Sequence, residues 1–300
     1  MIAHVFCLGV AVQDYVFSLP EMPRAAKKHR AADFTIVGGG CAANAAVAVV
    51  RLGGRASLAT RLGADKLGDD IVADLEAEGV DCAYAGRFEG RRSSLSAVMV
   101  DAHGDRMIVN YRDPKLPEGA DWLPDPTSLG LGAVLADTRW PTGAAAIMRR
   151  ARDLGLTTVL DAEPPIAPAE DALRAASHIA FSRDGLAEWS GTDDLEEGLA
   201  SVASDTGAFV CVTDGARGVR FHAGKERGKV PAFAVEAVDT LGAGDIWHGA
   251  FALALAEGRN ETDAIRFASA AAALKCTQFG GRAAMPARRE VEHFLMEHAV

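Results

Sequence analysis

From Ala133 to Thr213 the chain alternates short apolar runs with stretches of helical periodicity, and nothing else in it restricts the fold so tightly. The spacing predicts strands over 133–137, 157–160, 178–182 and 208–213, with helices over 142–154, 169–176 and 184–203 between them. Alternation of this kind specifies an α/β layered sheet. The opening run over 2–8, ending at Gly9, reads as a further buried strand. Around it the pattern loosens. Mixed-polarity strands are expected over 15–19 and 29–37 with no helix between them, and a second pair over 94–100 and 106–111 with Gly104 supplying the turn. Helices are expected over 42–52 and 69–78, with a strand over 56–60. A hairpin with Gly215 and Gly218 leads to a last strand near 230–238, then to helices over 243–257, 261–276 and from 287 onward. No Ser/Gly linker, charge block or repeat divides the chain. The expectation is one α/β domain over 1–300, carrying a small β lid from two segments, about 13–37 and 93–111.

Composition excludes several functions. With 41 acidic against 31 basic residues the net charge is -10, which argues against affinity built on neutralising a phosphate backbone, so no nucleic acid partner is expected. No apolar stretch approaches the roughly 18 to 20 residues of a membrane span, and the first residues carry no basic leader. The five cysteines, Cys7, Cys41, Cys82, Cys211 and Cys276, are scattered without a C-x-x-C pair, which fits a reducing cytoplasm.

In an open α/β sheet ligands gather beyond the carboxyl ends of the strands, so the segments just after each strand carry the search. The strongest is Asp239-Thr240-Leu241-Gly242-Ala243-Gly244-Asp245, where small residues lead into a helix. Amides there point outward unobstructed, and the helix dipole adds positive potential. Such a hole suits a phosphoryl group in transfer, with Asp245 at its lip placed to accept a proton from an attacking hydroxyl. The plainer alternative on spacing alone is an ordinary Gly-rich turn with Asp245 as a helix-capping carboxylate; two acidic residues bracketing the glycines count against it. Gly224 to Lys229 is not a P-loop, because only three residues separate its glycines and Val230 follows the lysine. Trp247 stands where a dinucleotide fingerprint needs its third glycine. His293 and His298 read as a solvated helix face.

Two motifs about 200 residues apart then carry a family resemblance. Asp239 to Asp245 matches D-T-x-G-A-G-D, and Gly39-Gly40-Cys41-Ala42-Ala43-Asn44 matches an N-terminal glycine signature; the chain resembles the ribokinase-like, or PfkB, carbohydrate kinases from end to end. The resemblance implies a three-layer α/β/α ribokinase-like fold with a mainly parallel sheet and a small β-sheet lid. It implies Asp245 as catalytic base, Gly242, Ala243 and Gly244 as the anion hole, and Asp14, Gly39, Gly40 and Asn44 as ligands of sugar hydroxyls. Ser182, Thr213, Gly215, Gly218 and Gly244 would serve ATP with Mg2+. Asp239, Leu241, Cys276, Phe279 and Gly281 would hold a K+ ion, mostly through carbonyls. A homodimer through the lid is also implied. One feature departs: the usual N-x-x-E aligns with Ser182-Arg183-Asp184-Gly185, so glycine replaces a glutamate that helps organise Mg2+, with Asp184 or Glu163 as substitutes.

Four further stretches, beginning at Ser94, Ile108, Leu135 and Ala273, are similar to the bacterial 6-deoxy-6-sulfofructose kinases of sulfoquinovose breakdown. In those enzymes a lysine, an asparagine and an arginine hold the sulfonate, which implies Lys28, Asn110 and Arg139 here. Arg139 follows a buried strand and needs a partner, which a structural carboxylate such as Asp137 would also provide. Asn44 keeps the general family residue where the sulfofructose enzymes carry Thr. Phosphorylation of the 1-hydroxyl of 6-deoxy-6-sulfofructose is the expectation; a fructokinase, ketohexokinase or other sugar or nucleoside kinase is the alternative, and a catalytically inactive sugar-binding regulator a weaker one.

Overall fold

The computed structural model describes residues 2–103, 105–224 and 226–298. The expected turn at Gly104 therefore lies outside the described residues. The chain runs β1 (His4–Leu8), β2 (Val12–Ser18), β3 (Asp33–Gly39), α1 (Cys41–Arg51), β4 (Arg55–Gly63), α2 (Lys66–Ala77), β5 (Asp81–Phe88), β6 (Ser94–Val100) and β7 (Arg106–Tyr111). It continues through β8 (Ala133–Asp137), α3 (Pro141–Asp153), β9 (Thr157–Ala162), α4 (Glu170–Ala175), β10 (His178–Ser182), α5 (Arg183–Ser190), α6 (Leu195–Thr206), β11 (Phe209–Thr213), β12 (Val219–Ala223) and β13 (Glu226–Val230). Three helices close it: α7 (Ala243–Ala256), α8 (Glu261–Cys276) and α9 (Arg288–Glu297).

The main sheet has nine strands in the order β13-β12-β11-β10-β9-β8-β1-β4-β5. From β5 to β11 every neighbouring pair is parallel; β12 runs the opposite way, so its pairings with β11 and with the edge strand β13 are antiparallel. Each central strand is apolar on both faces because helices cover both: β1 and β8 are buried at every position. One packed layer centres on α1, α7 and α8 and the other on α3 to α6. The ribokinase-like α/β fold is as the resemblance implied.

Two differences from the expectation have local causes. Strand β5 was not anticipated, because Asp81-Cys-Ala-Tyr-Ala-Gly-Arg-Phe88 mixes small and polar residues in a strand that borders the sheet on one side only. The last strand ends at Val230, and the following segment to Val238 joins no ladder; Pro231 has no N–H to give one.

A second sheet of four strands, in the order β3-β2-β6-β7, is built from the two segments that the sequence set apart. Its register puts Asp14 beside both Val37 and Ser96, and Ser96 beside Asn110. Its other character is apolar exposure, at Phe34, Ile36, Met107, Ile108, Val109 and Tyr111.

Candidate active site

The two glycine motifs meet because α1 and α7 pack directly against each other. Ile246 to Ala254 are all buried, so α7 is a core helix whose first turn is fixed by its surroundings. A Cβ at Gly249 would lie 2.4 Å from the Ala45 carbonyl, so the absence of a side chain there sets the approach of the two helices. Their N-terminal ends converge on one cleft of about 110 Å3 lined by Asp14, Gly40, Asn44, Gly242 and Asp245. The loop into α1 needs glycine for the same reason of space: a Cβ at Gly39 would sit 2.2 Å from the Asp14 carboxylate, and Gly40 has φ +97° with the Val10 carbonyl 2.4 Å from where its Cβ would be.

Asn44 Nδ2 donates to Asp245 Oδ2 at 2.7 Å. Which end of the amide faces Asp245 is decided by Arg282. Its guanidinium donates to Asn44 Oδ1 from Nε at 3.2 Å and from Nη2 at 3.1 Å, and it pairs with Asp74. Arginine has no acceptor, so the oxygen of Asn44 must face it and the NH2 must face Asp245. Burial pushes the Asp245 carboxyl up to about 6, the Asn44 hydrogen bond opposing, with the charges of Glu163 and Asp137 adding to the rise. Asp14 is likewise raised by burial, while Ser96 and Arg282 hold it down.

The amides open to an anion differ from the set that the resemblance implied. Gly242 caps α7 at φ +74°, and the Ala243 amide donates to the Thr240 carbonyl at 3.2 Å. Gly242, Gly244 and Asp245 amides meet no backbone acceptor among the described residues. These, rather than Ala243, are free to face an anion.

Beneath this turn lies a buried pair that the sequence did not signal. His248 Nδ1 meets the Gly244 carbonyl at 2.7 Å, and Nε2 faces the Ala180 carbonyl at 3.3 Å and Asp161 Oδ1 at 3.5 Å. Burial, then the charges of Glu163, Asp245 and Asp137, push Asp161 well up, while burial pushes the His248 imidazole down. Asp161 Oδ1 has no hydrogen-bond partner among the described residues.

A second, larger cleft of about 460 Å3 is lined by Ser182, Arg183, Asp184, Thr213, Asp214, Gly215 and Arg217. Gly215 (φ +52°) and Gly218 (φ +88°) shape the turn from β11 to β12. Asp214 is tied by Arg217 at 2.7 Å and Arg183 at 3.1 Å, and the Arg217 hydrogen bond leads in bringing its carboxyl down to about 2. Gly185 is closed to the glutamate that the motif would carry, since a Cβ would lie 2.2 Å from the Ala162 carbonyl. Asp184 is exposed at the rim, and Glu163 is half-buried with Arg139 Nη2 3.4 Å from its Oε2.

Arg139 does not pair with Asp137. Asp137 is consumed by backbone amides of Val10 at 2.8 Å, Ala42 at 3.2 Å and Arg139 itself at 2.8 Å, which pin β8 to the start of α1. The Arg139 guanidinium instead reaches Glu163 and the Pro164 carbonyl. Nearby, Arg112, though exposed at the surface, is held below the usual arginine range, first by the partial loss of water around it and then by the like charge of Arg139. Asn110 Nδ2 donates to Ser96 Oγ at 3.1 Å and the Leu95 carbonyl at 3.3 Å. Lys28 is exposed in the irregular segment between β2 and β3.

The residues offered for K+ do not fit one. Asp239 Oδ2 accepts from Lys275 Nζ at 2.8 Å and Oδ1 from Arg106 Nη2 at 2.6 Å. The Cys276 carbonyl accepts the amides of Val238 at 2.7 Å and Asp239 at 3.1 Å, while the Gly281 amide turns toward Asp239. Phe279 is exposed.

A mainly parallel sheet, a helix-opening turn with unpaired amides, a carboxylate at its lip and a separate larger cleft are what phosphoryl transfer between small molecules needs. Residues 2–288 match the pfkB family of carbohydrate kinases, and the chain belongs to that family. It is similar to the ribokinase of Bacillus subtilis, 30% identical over 97% of this chain and 99% of that one. A solved structure of a presumed ribokinase from Agrobacterium tumefaciens superposes with a TM-score of 0.95 at 37% identity, covering 99% of both chains. A fructokinase with bound ATP from Xylella fastidiosa gives 0.82 at 25% identity, again over 99% of both. The protein is an ATP-dependent carbohydrate kinase. Among the described residues no helix is long and apolar enough to cross a membrane.

Proposed function

We propose that the protein transfers the γ-phosphoryl group of ATP to the 1-hydroxyl of 6-deoxy-6-sulfofructose, giving 6-deoxy-6-sulfofructose 1-phosphate, in the cytoplasm where ATP is made. The observation that carries the anionic substrate is Arg139, a largely buried guanidinium just after β8, with the exposed Arg112 near enough to feel its like charge; a sulfonate would offset both. The cross-strand row Asp14–Ser96–Asn110 supports it by linking a sugar-hydroxyl ligand to a sulfonate donor. Lys28 is the third donor, closing from the adjoining segment of the lid.

In this reading Asp14, the Gly39–Gly40 turn and Asn44 seat the sugar, and Asp245 takes the 1-hydroxyl proton as that oxygen attacks the γ-phosphorus. The amides of Gly242 and Gly244 face the phosphoryl oxygens, and the ADP oxygen leaves. Thr213, Gly215 and Gly218, with Ser182, hold the nucleotide. Hard carboxylate oxygens suit Mg2+, and Glu163 fits better than Asp184 because its charge is felt at both Asp161 and Asp245. When bound, Mg2+ offsets the negative charge gathered on the phosphates. The apolar face of the small sheet is the surface through which we place a homodimer.

A neutral ketose is the second reading, favoured by Asn44 and by the hold of Glu163 on Arg139. The test is ADP release with MgATP and 6-deoxy-6-sulfofructose, fructose 6-phosphate or fructose, each with wild type and Arg139→Ala. Preference for the sulfonate, lost in Arg139→Ala, is expected. Preference for fructose, indifferent to the substitution, overturns the sulfosugar reading and leaves the kinase.

A further inference from the structure

Lys275 is the one lysine among the fully buried side chains of the described core, at 0% exposure. Its ammonium donates to the Asp239 carboxylate at 2.8 Å and to the Asp239 carbonyl, also at 2.8 Å. A carboxylate offers about four lone-pair positions. Those of Asp239 are met by Lys275, by Arg106 from β7, by the Leu241 amide at 2.9 Å and, more distantly, by the Gly280 and Gly281 amides at 3.3 Å. Burial alone would raise the Asp239 carboxyl, but the Lys275 hydrogen bond leads the interactions that bring it below the usual range. One carboxylate faces two fixed cations, so a further cation would meet net positive charge and no free oxygen of Asp239.

We propose that the Lys275 ammonium stands in for a monovalent metal cation, so that this kinase works without K+. The ammonium orients Asp239, Asp239 holds the Leu241 amide, and the next residue is Gly242 of the anion hole. Lys275 is thus a positioning residue. Arg106 adds a second fixed charge, and it comes from the small sheet, so the same carboxylate ties that sheet to the turn before α7.

The experiment compares KCl, NaCl and choline chloride at equal ionic strength, with wild type, Lys275→Ala and Lys275→Met. Wild-type turnover with the best sugar is expected to agree within about twofold across the salts, and its unfolding midpoint to be the same in KCl and choline chloride. Lys275→Ala, which frees Asp239 and leaves space, is expected to lose about tenfold or more in choline and to recover in KCl, with a midpoint raised by K+. Lys275→Met fills the space without charge and is not rescued. Wild-type turnover stimulated tenfold by K+ over choline, or a wild-type midpoint raised by K+ alone, overturns the proposal. The midpoint needs no substrate, so it decides the cation question even where no sugar in the panel turns over and the substrate reading falls.

Discussion

Removing the amide that touches the base should move the pH at which the enzyme switches on. Asp245 sits near 6 in the free enzyme, so at pH 7 about nine-tenths of it is ionised, and kcat/KM is lost as pH falls through that value. Asn44 donates to the ionised form at 2.7 Å and therefore holds the value down. A hydrogen bond to a charged group is worth about 1.5–3 kcal/mol, and 1.36 kcal/mol is one pKa unit, so its loss raises Asp245 by about 1–2 units. Asn44→Leu keeps the branching and the number of side-chain heavy atoms and removes the donor. The acid limb of kcat/KM for the sugar should then move from about 6 to about 7 or 8, cutting the pH 7 value a further two- to tenfold beyond any pH-independent loss of sugar affinity. Alkaline pH should restore that part. Asp245→Asn, with nothing to titrate, should lose about 10²–10⁴ in turnover at every pH and set the floor. An acid limb that stays at about 6 in Asn44→Leu would refute Asp245 as the group responsible.

Two other outcomes follow from packing. Gly185→Ala puts a methyl 2.2 Å from the Ala162 carbonyl and should cost about 1–3 kcal/mol, read as a lower urea midpoint; an unchanged midpoint would mean that the β9 end yields freely. Val109→Glu places a charge on the exposed apolar face of β7, in one cross-strand row with Ile36, and should leave a monomer by sedimentation equilibrium, whereas a dimer of unaltered affinity would move the interface elsewhere.

The sequence announced local periodicity and local motifs well. The limits of β6, β7, β8, β10 and α8 match the spacing, because each is bounded by residues that change the period at its ends. It was silent where a residue matters through a partner far along the chain. Arg282 orients Asn44 across 238 positions, and Arg106 meets Asp239 across 133. No window of sequence contains both members of such a pair. Lys275 is the sharper case, since a lysine near a helix C-terminus ordinarily reads as a solvated charge favoured by the dipole, and only the folded chain shows it buried against Asp239. Glycine at 185 was legible as a departure but not as a closed space.

The contact of Gly249 with Ala45 has a consequence for how the molecule is made. One member of the Asn44–Asp245 pair belongs to the first helix to leave the ribosome and the other to the antepenultimate one. The early helix can settle on β1 and β4, but the side that meets α7 must wait uncovered until the rest of the sheet has been made. A contact of such long sequence separation makes for slow folding. During that wait the exposed face of α1, rich in alanine and valine, is the part of the nascent chain most in need of a chaperone.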